Sequence, residues 1–246
     1  MLPEKTWKNE SVLRLLLGVF ATLSFGVLAA AALTNFTPAG WPQEQIKFAS
    51  MIIITLAFHG ATLVWIKFFL SAENISWSDA FGLRSSKLPR TIGLAVISGI
   101  LVLPVAWGLQ QLAAWLMEAG NLNPEPQQVV QEIQKDGAST VQQIYLAVVA
   151  LIAAPIVEEM LFRGILYPTI KRAGYPKLAL WGTSILFALT HQNIPAFFPL
   201  IFFAMILTLL YEDTGNLLAP IIAHSCFNTA NFVLLIWGKE FFQFLN

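Results

Sequence analysis

The feature that most constrains this chain is a succession of apolar runs, most of them near the roughly 20 residues an α-helix needs to cross a bilayer. Val12 to Leu33 and Phe48 to Ile66 are almost free of charge, and a turn at Pro38, Gly40, Trp41 and Pro42 separates them. Further runs follow at Thr91 to Met117, interrupted by Pro104, then Val141 to Lys171, Lys177 to His191, Ala196 to Tyr211 and Asn216 to Trp237. Within lipid a chain must satisfy its own backbone hydrogen bonds, so apolar runs of this length become helices. The expected fold is all-α, a polytopic membrane protein of about seven transmembrane helices forming one domain over residues 1–246. The fifth and sixth runs are short, and Pro195 and Pro199 leave room for a half-helix or re-entrant arrangement there. The stretch from Pro124 to Thr140 sets Val129, Val130 and Ile133 among Gln, Glu and Lys, too polar to span and suited to a short amphipathic interfacial helix. The run at Val12 has no obvious small-residue cleavage site followed by a soluble mature domain, and it reads as a retained helix and not a signal peptide.

Composition agrees with a lipid environment. Hydrophobic residues make up 57% of the 246 and charged residues 11%, well below the roughly 25% of soluble domains. The 14 basic and 14 acidic residues cancel, which gives nucleic acid no electrostatic handle. Cys226 is the single cysteine, so no intramolecular disulfide staples the fold. Basic residues alternate between sides. Lys5, Lys8, Arg14, Lys67, Arg84, Lys87, Arg90, Lys171, Arg172 and Lys177 fall on one side, and Lys47, Lys135 and Lys239 on the other. Cytoplasmic loops carry the Lys/Arg excess, so the N-terminus is expected in the cytosol of a cell whose inner membrane holds the protein. Seven spans put the C-terminus outside; an eighth, hidden segment would return it.

Ionisable groups inside a span are costly, about 2.5–3.5 kcal/mol for a central Asp, Lys or Arg on insertion scales, and each is a candidate for function. Glu158 and Glu159 lie in Ala-Ala-Pro-Ile-Val-Glu-Glu-Met-Leu-Phe-Arg, His191 ends Phe-Ala-Leu-Thr-His, and His224 and Asn228 bracket His-Ser-Cys-Phe-Asn. Neighbours on a helix point about 100° apart, so the two glutamates should differ in role. Glu159 and Arg163 have the i, i+4 spacing of a pair, a supporting arrangement that leaves Glu158 to face a cavity. At about 1.5 Å per residue, Glu158 lies roughly 21 Å from Arg172 and His191 the same from Lys177. From Asn216, His224 is about 12 Å in and Asn228 about 18 Å in. Three helices thus bring a carboxylate, two imidazoles and an amide to overlapping depths, counted from the side expected to be cytosolic and within reach of it.

A carboxylate and an imidazole flanking a water can take its proton as it attacks a carbonyl, which assigns Glu158 and His191 to the water. His224 and Asn228 could then donate to the oxyanion. The same residues allow another chemistry, with Glu158, His191 and His224 as three zinc ligands and an open fourth position. The expectation leans to no required metal or other cofactor. Ser225 and Cys226 have no base one turn away on their own face, which disfavours a covalent nucleophile. His59, in the second run and without a motif, reads as a packing or lipid-interface residue.

Glu158-Glu159-x-x-x-Arg163, Phe187-x-x-x-His191 and His224-x-x-x-Asn228, in this order, resemble the three motifs of the CPBP family, the CAAX proteases and bacteriocin-processing enzymes related to type II CAAX prenyl endopeptidases. The resemblance covers Val141 to Asn231, and Phe-Gly-Leu-Arg at Phe81 to Arg84 is also similar to the family. It implies an intramembrane endopeptidase in which Glu158 and His191 act on water while His224 and Asn228 stabilise the oxyanion. The implied partners are membrane lipid and a membrane-associated peptide or protein substrate, lipidated or not. Two other classes stand beside it: a non-enzymatic membrane factor, such as a bacteriocin-immunity or scaffold protein, and a proton-coupled transporter, for which no internal repeat is visible.

Overall fold

The computed structural model describes residues 7–38, 40–84, 87–134 and 139–244, and of these the last eight by backbone alone. Lys5, Lys135 and the side chain of Lys239, counted above, lie outside the described residues. All regular structure among those residues is helical. Among the described residues six helices are long and apolar enough to cross a membrane: α1 (Asn9–Phe36), α2 (Gln43–Ala72), α4 (Leu88–Ala119), α6 (Thr140–Arg172), α8 (Ile194–Thr214) and α9, apolar over Leu218–Ile236 and helical to Phe244. Between them lie α3 (Trp77–Ala80), α5 (Gln128–Gln134) and α7 (Pro176–Thr190). The fifth apolar run forms α7, which at 15 residues is roughly 22 Å long and falls short of a full span. The chain forms two compact units, one over Trp7–Ala80 and one from Phe81 onward.

In the first unit α1 and α2 pack as a hairpin whose close approaches fall at small residues, the usual device for helices that meet in lipid. Gly18 lies under the Trp65 indole, and a Cβ there would come within 2.5 Å of the ring. Gly26 faces Ala57 in the same way. Trp7 meets Phe69 edge to face at 5.1 Å. His59 sits in a π-helical turn of α2 over Leu56–Gly60, its ring against Phe58.

The second unit is built around α8. Of its most apolar window 61% is buried, against at most 28% for any other candidate span, so α8 is the post and the others face lipid. Asn193 caps it, its Oδ1 accepting from Ala196 N at 3.0 Å, with Pro195 in the first turn where its missing N–H costs nothing. Gly215, at φ 61°, closes the other end in the left-handed conformation, which suits glycine. Helix α4 lies along α8 and α9. Its contact with α9 depends on Gly99, where a Cβ would stand 2.6 Å from the Ala223 carbonyl oxygen.

Helix α6 starts at a capping box: Ser139 Oγ accepts from Gln142 N while Gln142 Oε1 accepts from Ser139 N, as the Ser-x-x-Gln spacing allows. Two π-helical turns, Val149–Ala153 and Met160–Leu166, bracket its α-helical Ala154–Glu159. Such turns add a residue to the helix and turn later side chains relative to earlier ones. The Phe-Gly-Leu-Arg run supports the second of them. Phe81 is fully buried, its ring meets Gly164 with no space for a Cβ, and its carbonyl accepts from Leu217 N at 2.9 Å.

Candidate active site

Glu159 is fully buried and Arg163 is 1% exposed, so neither charge reaches water. The guanidinium meets its requirement for acceptors from two helices. Its Nη1 donates to Glu159 Oε1 at 2.8 Å, Nη2 to Ala204 O at 2.9 Å, and Nε to Thr208 Oγ1 at 3.4 Å. Its face lies 4.8 Å from the centre of the Phe187 ring, a further favourable setting for a cation. The same carboxylate oxygen that takes Arg163 also takes His224, at 2.8 Å from Nδ1. An ionised carboxylate only accepts, so Nδ1 carries a proton there, and the other ring nitrogen, Nε2, is turned toward Glu158. Phe187 and Phe203 stand edge-on to this imidazole, at 5.8 and 5.3 Å, and hold its plane.

Glu158 differs from its neighbour as adjacent helix positions must: its side chain is 15% exposed where that of Glu159 has no exposed surface. Its Oε2, like that of Glu159, has no hydrogen-bond partner, and it lies 4.0 Å from His224 Nε2. Two carboxylates, one guanidinium and one imidazole are electrically neutral with one further proton in the cluster, and the gap between Glu158 Oε2 and His224 Nε2 is where it can be shared.

His191 ends α7. Its Nδ1 meets the Phe187 carbonyl oxygen at 2.8 Å; a carbonyl cannot donate, so Nδ1 holds the hydrogen and Nε2 of the neutral ring is left basic. Phe187 sits among His191, His224, Arg163 and Phe162 and is fully buried. One ring therefore sets the spacing of the polar groups. No ion-pair contact joins Glu158 to His191 among the described residues. Asn228 is placed one turn beyond His224, and its Nδ2 donates to Ala150 O at 2.8 Å, a carbonyl in the first π turn of α6. The second N–H of that amide remains for another acceptor.

Tested as a zinc site, Glu158, His191 and His224 do not converge. No group of three or more His, Cys, Asp or Glu among the described residues stands close enough to hold a metal ion, and His224 Nδ1 is already engaged by Glu159.

His191 also lines a cleft of about 520 Å³ between the connection that follows α4 and the turn from α7 to α8. Asn193 Nδ2 donates to Glu125 O at 2.9 Å and ties the two walls together. This cleft lies at the end of the bundle away from Lys171 and Arg90, which pair with Glu212 at 2.5 Å and Asp213 at 3.0 Å at the opposite end of α8. Three features were not anticipated from the sequence: the bond from Glu159 to His224, the anchoring of Arg163 on α8, and the cleft. The Phe187-x-x-x-His191 spacing was the only signal of Phe187 as a hub.

Carboxylates, imidazoles and an amide from α6, α7 and α9 are thus gathered inside the apolar helices of a membrane-embedded protein. The segment that contributes them, residues 140–230, matches the family model of the Rce1-like type II CAAX prenyl endopeptidases. That match agrees with the CPBP resemblance of the three motifs and supports an intramembrane CAAX-type protease in general terms. No curated protein and no solved structure matches the chain.

Proposed function

We propose that the chain is an intramembrane endopeptidase that hydrolyses a peptide bond of a membrane-associated substrate with water activated by Glu158 and His191. The observation that carries this reading is Glu158 Oε2, buried and unpartnered beside an imidazole whose other nitrogen is held by a buried Glu159–Arg163 pair. Both glutamates keep an unpartnered Oε2, but Glu159 is committed through its Oε1 to Arg163 and His224 and has no exposed surface, whereas the Glu158 side chain is 15% exposed and reaches the space a water and substrate would enter.

In the proposed reaction a water between Glu158 and the free nitrogen of His191 loses a proton to the carboxylate as its oxygen bonds to the scissile carbonyl carbon. The carbonyl oxygen becomes an oxyanion, which His224 Nε2–H and the remaining Asn228 N–H stabilise. The tetrahedral intermediate then expels the amine, which receives the proton from Glu158, and both products leave with atoms and charge balanced. Glu159 and Arg163 position His224 and do not touch the substrate. The reaction requires no metal in this scheme; elemental analysis with zinc at one per chain, and activity lost to chelator and restored by zinc, would overturn that part.

The decisive experiment is a substrate comparison in native membranes between the wild type and Glu158→Ala. A peptide or protein that is shortened only with the wild type supports the assignment. A Glu158→Gln protein that keeps its cellular function in full assigns the chain to the non-enzymatic class instead.

A further inference from the structure

The cleft beside His191 has a composition that a packing defect in a membrane protein would not have. From the α4–α5 connection and α5 it receives Glu125, Gln127, Gln128 and Gln131, and from the α7–α8 turn Gln192 and Asn193. Its volume lies within the roughly 300–1,000 Å³ of ligand pockets. Except for Met117, Thr190 and His191 at its inner wall, its remaining lining is Asn123 and a few apolar residues. The wall that carries Glu125 and the glutamines lies outside residues 140–230, the segment that matches the protease family.

Side-chain amides both donate and accept, as peptide groups do, so a wall of Asn and Gln is matched to an extended peptide backbone. Glu125 is the one charged side chain among the lining residues, and no Lys or Arg joins it. A cationic side chain would therefore be favoured there, and a free C-terminal carboxylate would meet no cation. The cleft is anchored as well as polar. The Asn193–Glu125 bond joins its walls, Gln131 Nε2 donates to Pro126 O at 2.8 Å, and Ile133 of α5 is buried.

We propose that this cleft is a substrate subsite, which binds a polar stretch of peptide flanking the scissile bond and selects through Glu125 for a basic residue in it. The proposal rests on the protease reading for its scissile bond, and its geometry places the bound peptide against His191.

The test uses the full-length protein in proteoliposomes and internally quenched peptides that share one apolar segment and differ by Lys or Glu at each flanking position. At one or two positions the wild type should favour Lys about two- to fivefold in kcat/KM, the size of a solvent-exposed ion pair. E125Q should lose the preference and E125K reverse it, with thermal unfolding unchanged. A second arm places a photo-crosslinking residue at Gln128 in the Glu158→Gln background, where the Lys peptide should be captured and E125K should reduce capture. Cleavage with a charge preference that E125K leaves untouched, or no capture from position 128, overturns the subsite. Selective capture at position 128 with none of the peptides cleaved keeps the cleft as a peptide-binding site, and the native-membrane comparison of wild type with Glu158→Ala then decides the protease reading.

Discussion

Arg163 is the residue on which the site's geometry depends. It bonds α6 to α8 through Ala204 O and Thr208 Oγ1 and fixes Glu159, which in turn fixes His224. Replacing Arg163 with Met would leave the buried Glu159 carboxylate with His224 as its remaining hydrogen-bond partner and no guanidinium beside it, and removing one partner of a buried pair costs about 3–5 kcal/mol. Thermal unfolding in detergent should show a large loss for Arg163→Met, and Arg163→Lys should recover little, since one ammonium cannot reproduce the planar fork on three acceptors. Glu159→Gln is expected to behave differently. It keeps the shape and an acceptor oxygen but weakens the hold on the His224 Nδ1 proton, so turnover should fall while the fold survives. At this scale the sequence was partly legible. The i, i+4 spacing predicted a Glu159–Arg163 pair, because both partners lie on one helix. The Glu159–His224 bond joins residues 65 apart, and no local periodicity encodes it. Asn228 shows the same limit, since its bond to the Ala150 carbonyl joins residues 78 apart.

Helices meet in the second unit through glycines used selectively. On α4, Gly99 faces the Ala223 carbonyl at a distance no Cβ could keep, whereas Gly93 and Gly108 have nothing within 4 Å of a built Cβ. Gly99→Leu should overpack the α4–α9 contact and destabilise by about 1–3 kcal/mol. Gly93→Ala and Gly108→Ala should be neutral or slightly stabilising, because alanine favours the helix over glycine by about 1 kcal/mol; unfolding of the three variants side by side checks the contrast. Since Gly99 also sets where α9 lies, Gly99→Leu should lower activity beyond its loss of stability by displacing His224. Apolar length made these helices visible in the sequence. It marked the fifth run as short, and α7, 15 residues long with His191 at its end, does not fill a span; it said nothing of which glycine faces a neighbour.

For the molecule as a whole, from Phe81 onward, the two ends of the bundle differ in charge. Arg84, Lys87, Arg90, Lys171, Arg172 and Lys177 cluster toward the end where α4 begins and α6 and α8 finish, while the connection from α4 to α6 contains Lys135 alone. By the positive-inside rule the first end is expected on the cytosolic side. Distances counted along the helices suggested a site within cytosolic reach, yet roughly 21 Å from the basic turn is most of the way across a hydrocarbon core of about 30 Å. The cleft beside His191 opens at the end with few cations, so substrate peptide is expected from the non-cytosolic face. Single cysteines introduced at Gln192 and at Ala173 in a Cys226→Ala background provide the measurement. A membrane-impermeant maleimide added outside right-side-out vesicles should label position 192 and spare position 173, and inverted vesicles should give the opposite. Labelling of position 192 only from the inverted side would assign the cleft to the cytosol and direct the search for substrates to cytosolic membrane-bound peptides.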